Sequence, residues 1–210
     1  MVASYAFFKN EFVPLSEAKI GVMTHCFHYG TAAFEGIRGN WNAKQRQLYL
    51  FRAREHYQRL HKGCQMLKIE LPYSIDDMCR ITVELVGKCG FQEDVYVRPV
   101  AYKSSEALGV RLHNLDNEFL VFAFPWGPYL DTDKARCGVS SWRTAREIPR
   151  AKITGLYVTN AFAKTEAIEN GFDEGIMLTA EGYVSEGTGE NIFLVADGKL
   201  VTPASYDDIL

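Results

Sequence analysis

A break in the pattern of apolar residues near position 130 is the feature that most constrains the fold. The stretch Pro125-Trp126-Gly127-Pro128-Tyr129 and the residues up to Lys134 fit neither the helical nor the strand period, as is typical of a linker. Strand-like and helix-like segments occur on both sides of it. We therefore predict an α+β protein of two units joined near residue 130, with a first domain at residues 1–126, a linker at 127–137 and a second domain at 138–210.

The predicted elements have local start and stop signals. Ser74, followed by Asp77 three residues later, predicts the start of a helix that ends at Gly90. Further helices are predicted at 53–67 and 155–170 from their periodic apolar residues. Strands are predicted at 5–9, 11–13, 47–51, 95–102, 119–124, 138–142, 175–178, 183–185, 191–195 and 199–202.

The composition argues against several classes of protein. The 210 residues are 47% hydrophobic and 23% charged with a net charge of −3, so nothing favours nucleic acid or an anionic membrane as partner. No apolar run is long enough for a membrane span and the first residues lack a signal-peptide pattern, so a cytoplasmic location is expected. The five cysteines form no Cys-x-x-Cys pair, and we expect buried free thiols.

Lys152 is the first candidate for chemistry. It lies just before a predicted helix, with Gly155 three residues and Tyr157 five residues further on. A lysine with apolar neighbours at such a boundary loses its proton more easily than a surface lysine, and Schiff-base chemistry requires a neutral amine. Tyr157 could donate to the phenolate of a cofactor. Taken alone, Lys152 is better explained as a solvated lysine at a helix start.

A carboxylate followed by a glycine-rich turn is the second candidate. Glu186 ends a predicted strand, and Gly187 and Gly189 allow the backbone to turn sharply or to approach a ligand. A buried carboxylate here could pair with a pyridine nitrogen and keep it protonated. A polar turn with exposed glutamates would explain the same residues. A hydrolase that uses Glu186 and Glu190 as acid and base is a further alternative.

Residues 28–38 concentrate aromatic residues, glycines and an arginine in a short segment. They could line a pocket with apolar walls and one cation for a carboxylate. A small-residue helix packed on a sheet would explain the segment equally well. His25 and His28 could suggest a metal, but no third ligand is in view and no metal is expected.

Two arginines lie in predicted regular elements. Arg98 is in a strand with apolar neighbours, so its charge needs either a carboxylate side chain or a substrate as partner. Arg59 lies on the helix predicted at 53–67, where most arginines are solvated. Its position alone gives no sign of a function.

The order of these segments along the chain is more specific than any one of them. Tyr-Gly-x-x-x-Phe-Glu-Gly-x-Arg at 29–38 is followed by Tyr-x-Arg-Pro at 96–99, Phe-Pro-Trp-Gly at 124–127, Lys-x-x-Gly-x-Tyr at 152–157 and Ser-Glu-Gly-x-Gly-Glu-Asn at 185–191. In this order the chain resembles the fold-type IV enzymes that depend on pyridoxal 5'-phosphate (PLP). Within them it is similar to the branched-chain amino acid aminotransferases.

The resemblance implies a fold, a reaction and an assembly. The fold would be the two-domain α+β fold of these enzymes, with residues 138–210 as the N-terminal part of the large PLP-binding domain. Since the family continues with segments that hold the phosphate, the second domain is expected to be incomplete at Leu210. The reaction would transfer the amino group of L-leucine, L-isoleucine or L-valine to 2-oxoglutarate. A homodimer or higher homo-oligomer is expected.

The resemblance also implies the residues that hold the cofactor. Lys152 would carry PLP as a Schiff base and shuttle the proton of the substrate. Glu186 would bind the pyridine nitrogen and Tyr157 the phenolic oxygen. Arg59 would contact the phosphate.

The substrate pocket follows from the resemblance in the same way. It would be formed by Phe34, Tyr29, Gly36, Arg38, Tyr96, Arg98, Val110, Trp126 and Tyr129. The carboxylates of the substrates would be handled by Tyr96, Arg98 and Arg38. Tyr29 and Val110 could act on the site of the neighbouring subunit.

Other interpretations are open from the sequence. A D-amino acid transaminase or an aminodeoxychorismate lyase of the same fold would share Lys152 and Glu186, although the residues around Phe34 and Arg98 follow the branched-chain pattern. The alternative from a different class is a truncated, non-catalytic form that keeps the core without the phosphate site.

Overall fold

The computed structural model describes residues 4–130, 134–144, 151–204 and 209. Its residues cluster into unit 1, with Met1–Tyr129 and Lys152–Gly155, and unit 2, with Leu130–Ala151 and Leu156–Leu210. Each unit combines a sheet with helices, which confirms the α+β class. The short segment around Lys152 therefore groups with the N-terminal part of the chain, although the sequence places it after the predicted linker.

Unit 1 is built on a sheet of antiparallel strands. Its described strands are β1 (Tyr5–Phe8), β2 (Glu11–Pro14), β3 (Ala32–Phe34), β4 (Ile37–Asn42), β5 (Gln47–Leu50), β6 (Val95–Lys103) and β7 (Asn117–Pro125). They lie in the order β2-β1-β7-β6-β4-β5, and β3 pairs with β6 further along the same strand. The long β6–β7 pair is the centre of the sheet.

The helices of unit 1 are α1 (His25–Tyr29), α2 (Ala53–Met66) and α3 (Ile75–Cys89). At the start of α3, the Ser74 hydroxyl accepts from the Asp77 amide and the Asp77 carboxylate accepts from the Ser74 amide, as the sequence predicts. The helix ends at Gly90, whose left-handed φ of 67° suits glycine. Both longer helices bury apolar residues, among them Tyr57, Leu60, Met78 and Leu85.

The two faces of β6 have different neighbours. Val95, Val97 and Ala101 are fully buried in the core. Because side chains alternate along a strand, Tyr96 and Arg98 lie on the opposite face and remain partly exposed. This second face of the sheet carries most of the candidate pocket.

Residues 28–38 do not form the small-residue helix that the sequence allowed as an alternative. Helix α1 ends at Gly30, which has a left-handed φ of 62°, and the chain then forms β3 and β4. Strand β3 has only three residues and depends on pairing with distant β6, with Ala33 opposite Ala101. Such a short strand gives no periodic signal of its own, so the sequence did not predict it.

Unit 2 contains β8 (Cys137–Arg143), α4 (Tyr157–Glu169), β9 (Glu174–Leu178) and β10 (Val184–Gly187), followed by the hairpin β11 (Leu194–Ala196) and β12 (Lys199–Val201). Strands β8 and β9 are parallel and α4 packs on both of them, while β10 is antiparallel to β9. The turn Asp197-Gly198 has positive φ at both residues, as its hairpin signal predicts. Across the described ranges, none of the helices is long and apolar enough to cross a bilayer.

The cysteines are free thiols, but they do not all have the predicted buried environment. Cys64 and Cys89 are buried, whereas Cys26 and Cys79 are partly exposed. The prediction is wrong for Cys137, which is exposed at the start of β8, a strand in which only Ser140 is buried.

Candidate active site

Lys152 is held by backbone pairing with strand β3. The Phe34 amide donates to the Lys152 carbonyl at 3.0 Å, and Ile153 forms a bridge with Ala33. The next residues are tied to Gly30, whose carbonyl accepts from the Thr154 hydroxyl at 2.8 Å. The lysine is therefore part of an extended segment fixed to the sheet of unit 1, and it is not a solvated residue of a helical first turn.

The ring of Phe34 is the common contact of two basic side chains. The Lys152 Nζ lies 5.2 Å from the ring centroid, and the Arg98 Cζ lies 4.7 Å from the same centroid. Both distances are within the range of cation–π contacts. The structure thus brings together a candidate covalent lysine, an apolar ring and a candidate carboxylate-binding cation.

Arg98 is a partly buried cation with an unsatisfied donor. Its Nη2 donates to the Tyr96 hydroxyl at 3.0 Å, and its Cζ lies 5.1 Å from the Tyr96 ring centroid. Its buried Nε has no hydrogen-bond partner among the described residues. Because a guanidinium cannot lose its charge and buried donors are normally paired, this arrangement favours an anionic ligand.

An aromatic wall extends from Tyr96 along the same face of the sheet. The rings of Tyr96 and Trp126 have centroids 4.8 Å apart, and Trp126 lies 5.9 Å from Tyr129. A Cβ at Gly36 would overlap the Tyr96 phenol, so glycine is required for this packing. Arg38 lies opposite Tyr96 in the strand pair and makes a 3.6 Å ion pair with Asp94.

Tyr29 binds the residue before Val110 in a separate cluster of unit 1. The Tyr29 hydroxyl accepts from the Gly109 amide at 2.9 Å, and the Gly109 carbonyl is hydrogen-bonded to His25 Nε2 at 2.9 Å. The other ring nitrogen of His25 is hydrogen-bonded to Thr31, so both nitrogens of this buried histidine are paired within the protein. Val110 itself is 91% exposed.

Glu186 lies at the end of β10 and is only 5% exposed, so the alternative of an exposed polar turn is wrong for this residue. The loop after it is fixed by Glu174, whose carboxylate accepts from the Thr188 hydroxyl at 2.5 Å and from Lys164 Nζ at 2.5 Å. Burial opposes ionisation of Glu174, but these hydrogen bonds outweigh it and lower its pKa. Asn160 Nδ2 also donates to the Thr188 carbonyl, at 2.8 Å.

The remaining candidates lie on helices. Tyr157 is the first residue of α4 and is partly exposed. Arg59 lies on α2, where its Nε and Nη2 donate to the two carboxylate oxygens of Glu35 at 2.5 and 2.7 Å. No sequence pattern indicated a paired guanidinium at this position.

Known proteins match this chain over the part that contains the residues described above. The family model described as Amino-transferase class IV matches residues 32–210. A probable branched-chain-amino-acid aminotransferase from Aquifex aeolicus is 47% identical over 210 residues, which cover 98% of this chain and 68% of the relative. The chain belongs to the class IV aminotransferases. Its curated relatives place it in the branched-chain branch of that family.

Two solved structures extend the comparison to the fold. The branched-chain aminotransferase from Thermoproteus uzoniensis, crystallised with norvaline, has a TM-score of 0.94 and 39% identity over 99% of this chain and 70% of its own. The branched-chain amino acid aminotransferase from Thermobaculum terrenum, in its PLP form, has a TM-score of 0.91 and 31% identity over 100% of this chain and 70% of its own. Both likenesses confirm the fold-type IV assignment.

Sequence reasoning missed several residues that hold the candidate residues in place within each unit. Glu35 was quoted only as part of a motif, yet a carboxylate among small and apolar residues is itself a signal of a buried charge that needs a cation. His25 and Glu174 were assigned no role. Their partners lie far away along the chain, so no local pattern could have identified them.

Proposed function

We propose that the protein is a PLP-dependent branched-chain aminotransferase. It transfers the amino group of L-leucine, L-isoleucine or L-valine to 2-oxoglutarate and yields the 2-oxo acids and L-glutamate. The observation that carries the proposal is the shared contact of Lys152 and Arg98 with the Phe34 ring. It combines an amine for covalent attachment, an apolar wall and a carboxylate-binding cation in one cluster.

The side chains available match the chemical groups of PLP. Lys152 offers an amine to the aldehyde, Arg59 a guanidinium to the phosphate, Tyr157 a phenol to the ring oxygen, and the buried Glu186 a carboxylate to the pyridine nitrogen. Bound PLP supplies an electron sink that makes the Cα proton of an amino acid removable. The solved relative in its PLP form supports PLP as the cofactor.

Lys152 has two tasks in this proposal. It would hold the cofactor covalently, and its amine would move a proton at the substrate Cα. The pairing of its backbone with Phe34 fixes the start of the side chain. A positioned amine is more effective than a free one because its orientation is set before the reaction.

The pocket must accept an aliphatic substrate and an acidic one in alternate half-reactions. Phe34, Tyr96 and Trp126 supply apolar surface for a branched side chain. When glutamate or 2-oxoglutarate enters, Arg98 can donate its buried Nε–H to a carboxylate beside the Tyr96 hydroxyl. A relative crystallised with norvaline is consistent with the aliphatic half of this description.

The assembly and location are also proposals. We expect a homodimer or higher homo-oligomer, in which the exposed Val110 and the Tyr29 that holds its loop reach the pocket of a second subunit. The expected cytoplasmic location and the absence of a nucleic-acid partner stay predictions. So does the division into domains at 1–126 and 138–210.

The proposal is tested on the purified protein by absorbance and turnover. The protein should develop visible absorbance on addition of PLP and convert L-leucine plus 2-oxoglutarate to glutamate. Lys152→Ala should lose both, since no amine is left to attach the cofactor. Lys44→Ala, in an exposed turn of the same unit, is the matched control and should retain both.

A panel of L- and D-amino acids separates the related reactions. Turnover of D-alanine or release of pyruvate in place of leucine transamination would contradict the proposal and favour the D-amino acid transaminase or the lyase. A protein that never takes up PLP would favour the non-catalytic form.

A further inference from the structure

Glu35 is a fully buried carboxylate to which the proposed reaction gives no role. It follows Phe34 directly at the end of β3 and has 0% exposure. Its Oε1 accepts from Arg59 Nε, and its Oε2 accepts from Arg59 Nη2 and from His56 Nδ1 at 2.8 Å. An ionised carboxylate is costly to bury unless its oxygens are paired, and here both are.

The protonation state of this cluster follows from its geometry. Burial acts to raise the pKa of Glu35, but the hydrogen bonds from Arg59 and His56 outweigh burial and lower it. Glu35 is therefore ionised at neutral pH and can only accept hydrogen bonds. His56 Nδ1 must then carry a proton.

Secondary structure brings Arg59 to Glu35. Ala33 in β3 and Glu35, whose amide still donates to the Pro99 carbonyl of β6, lie on the same side of this extended segment because side chains alternate. On α2, Arg59 and Gly63 share a face at a spacing of four residues. A Cβ at Gly63 would lie 3.0 Å from the Ala33 Cβ, so the glycine lets α2 approach β3 closely at this point.

The fork contact fixes the orientation of the guanidinium. Glu35 takes the edge formed by Nε and Nη2, so the remaining N–H groups of Arg59 are directed away from Glu35. The Arg59 side chain is 38% exposed, whereas Glu35 is completely enclosed. The Glu35–Arg59 pair has no net charge. An anion bound by Arg59 is therefore stabilised mainly by directed hydrogen bonds.

We infer that Glu35, backed by His56, is a positioning residue that orients Arg59 toward the phosphate of the cofactor. The inference rests on the proposed function because it takes Arg59 as a phosphate ligand. Consecutive residues of the β3 segment then serve the two ends of the cofactor. Phe34 holds the backbone and the amine of Lys152, and Glu35 holds the phosphate-binding arginine.

The test compares the affinity for PLP with that for pyridoxal, which has the same ring and aldehyde but no phosphate. Both are measured by absorbance titration of wild type, Glu35→Gln and the control Glu55→Gln, an exposed carboxylate of helix α2 that pairs with Arg52. We expect Glu35→Gln to weaken PLP binding about 10- to 100-fold and pyridoxal binding less than about 2-fold. Glu55→Gln should change neither.

Equal weakening of PLP and pyridoxal by Glu35→Gln would show a merely structural role and overturn the inference, as would an unchanged PLP affinity. If Glu35→Gln does not fold, Glu35→Asp keeps the buried charge but withdraws the carboxylate by one methylene. The same phosphate-selective loss is then expected, and its absence would overturn the inference.

A double variant tests whether Glu35 acts through Arg59. Arg59→Lys keeps the charge but lacks the fork, so it should lose PLP affinity selectively. Adding Glu35→Gln to Arg59→Lys should cause little further loss, and a full additional loss would contradict the inference. A wild type that binds PLP no better than pyridoxal would overturn both the proposed function and this inference. A normal wild-type preference that Glu35 does not affect overturns the inference alone.

Discussion

Arg98 in unit 1 and Glu190 in unit 2 are both partly buried groups with one polar atom that lacks a hydrogen-bond partner among the described residues. The atoms are Arg98 Nε and Glu190 Oε1. The two groups can respond differently to this. A carboxylic acid can take up a proton. Burial and the nearby charge of Glu174 raise the pKa of Glu190, and the hydrogen bond from the Gly189 amide only partly opposes them. A guanidinium stays charged.

An unpaired buried atom indicates a ligand only where the group that carries it cannot change its charge. Glu190 can relieve its burial by taking up a proton at a higher pH than a free carboxyl group does, and its Oε2 accepts from the Gly189 amide in the loop after Glu186. Arg98 has no such route, and its charge requires an anion. Only the unit 1 residue is therefore expected to act directly on substrate.

The largest expected effect is at Arg98. Arg98→Met retains much of the apolar stem but removes the cation. We predict a fall of about 100-fold in kcat/KM for glutamate and 2-oxoglutarate, and less than about 10-fold for leucine, because a buried charged hydrogen bond is lost only with the acidic substrate. Half-reaction kinetics with each amino acid measure both values. Equal losses would mean that Arg98 binds the α-carboxylate common to all substrates.

A smaller effect is expected at Glu174, the fully paired carboxylate of unit 2. Glu174→Gln places an amide among donors from Lys164, Thr188 and Gly175, and should lower the free energy of unfolding by about 2 kcal/mol at pH 7. The folded pKa lies below the usual 4.5, so the stabilisation is present above pH 4.5 and is lost as the pH falls through the lowered pKa. The free energies of unfolding of wild type and Glu174→Gln, measured by denaturant titration, should become equal in acid.

The same substitution at Glu190 should have the opposite effect on the free energy of unfolding. Its folded pKa lies above the usual 4.5, so its cost to stability is absent below pH 4.5 and grows as the pH rises through the raised pKa. Glu190→Gln should therefore match wild type in the free energy of unfolding at pH 4 and become more stable than wild type as the pH rises. A destabilised Glu190→Gln would show that the ionised form is needed and would break the comparison with Arg98.

The elements that local signals specify were predictable from sequence. The capping box at Ser74, the Gly90 terminus and the Asp197-Gly198 turn need only neighbouring residues, and all are present. Strand β3 and the attachment of Lys152 to it were not predictable, because three residues gain strand geometry from pairing with β6. The segment around Lys152 follows β3 for the same reason.

The residues of the candidate site were likewise predictable only in part. Lys152 and Glu186 could be chosen because ordered motifs surround them, and Arg98 because a charge in an apolar strand needs a partner. Arg59 had no local signal, since its partner Glu35 is 24 residues away. Pairing between distant elements, which no single segment encodes, determines which charges are satisfied within the protein and which are left for a ligand.

Borohydride trapping tests whether Lys152 carries the cofactor. Reduction of the PLP-loaded protein fixes the cofactor to its lysine, and a tryptic digest locates it because the modified lysine resists cleavage. We expect a phosphopyridoxyl group on Lys152 within a peptide of residues 151–164. A label on any other lysine, or a labelled Lys152→Ala protein, would contradict it.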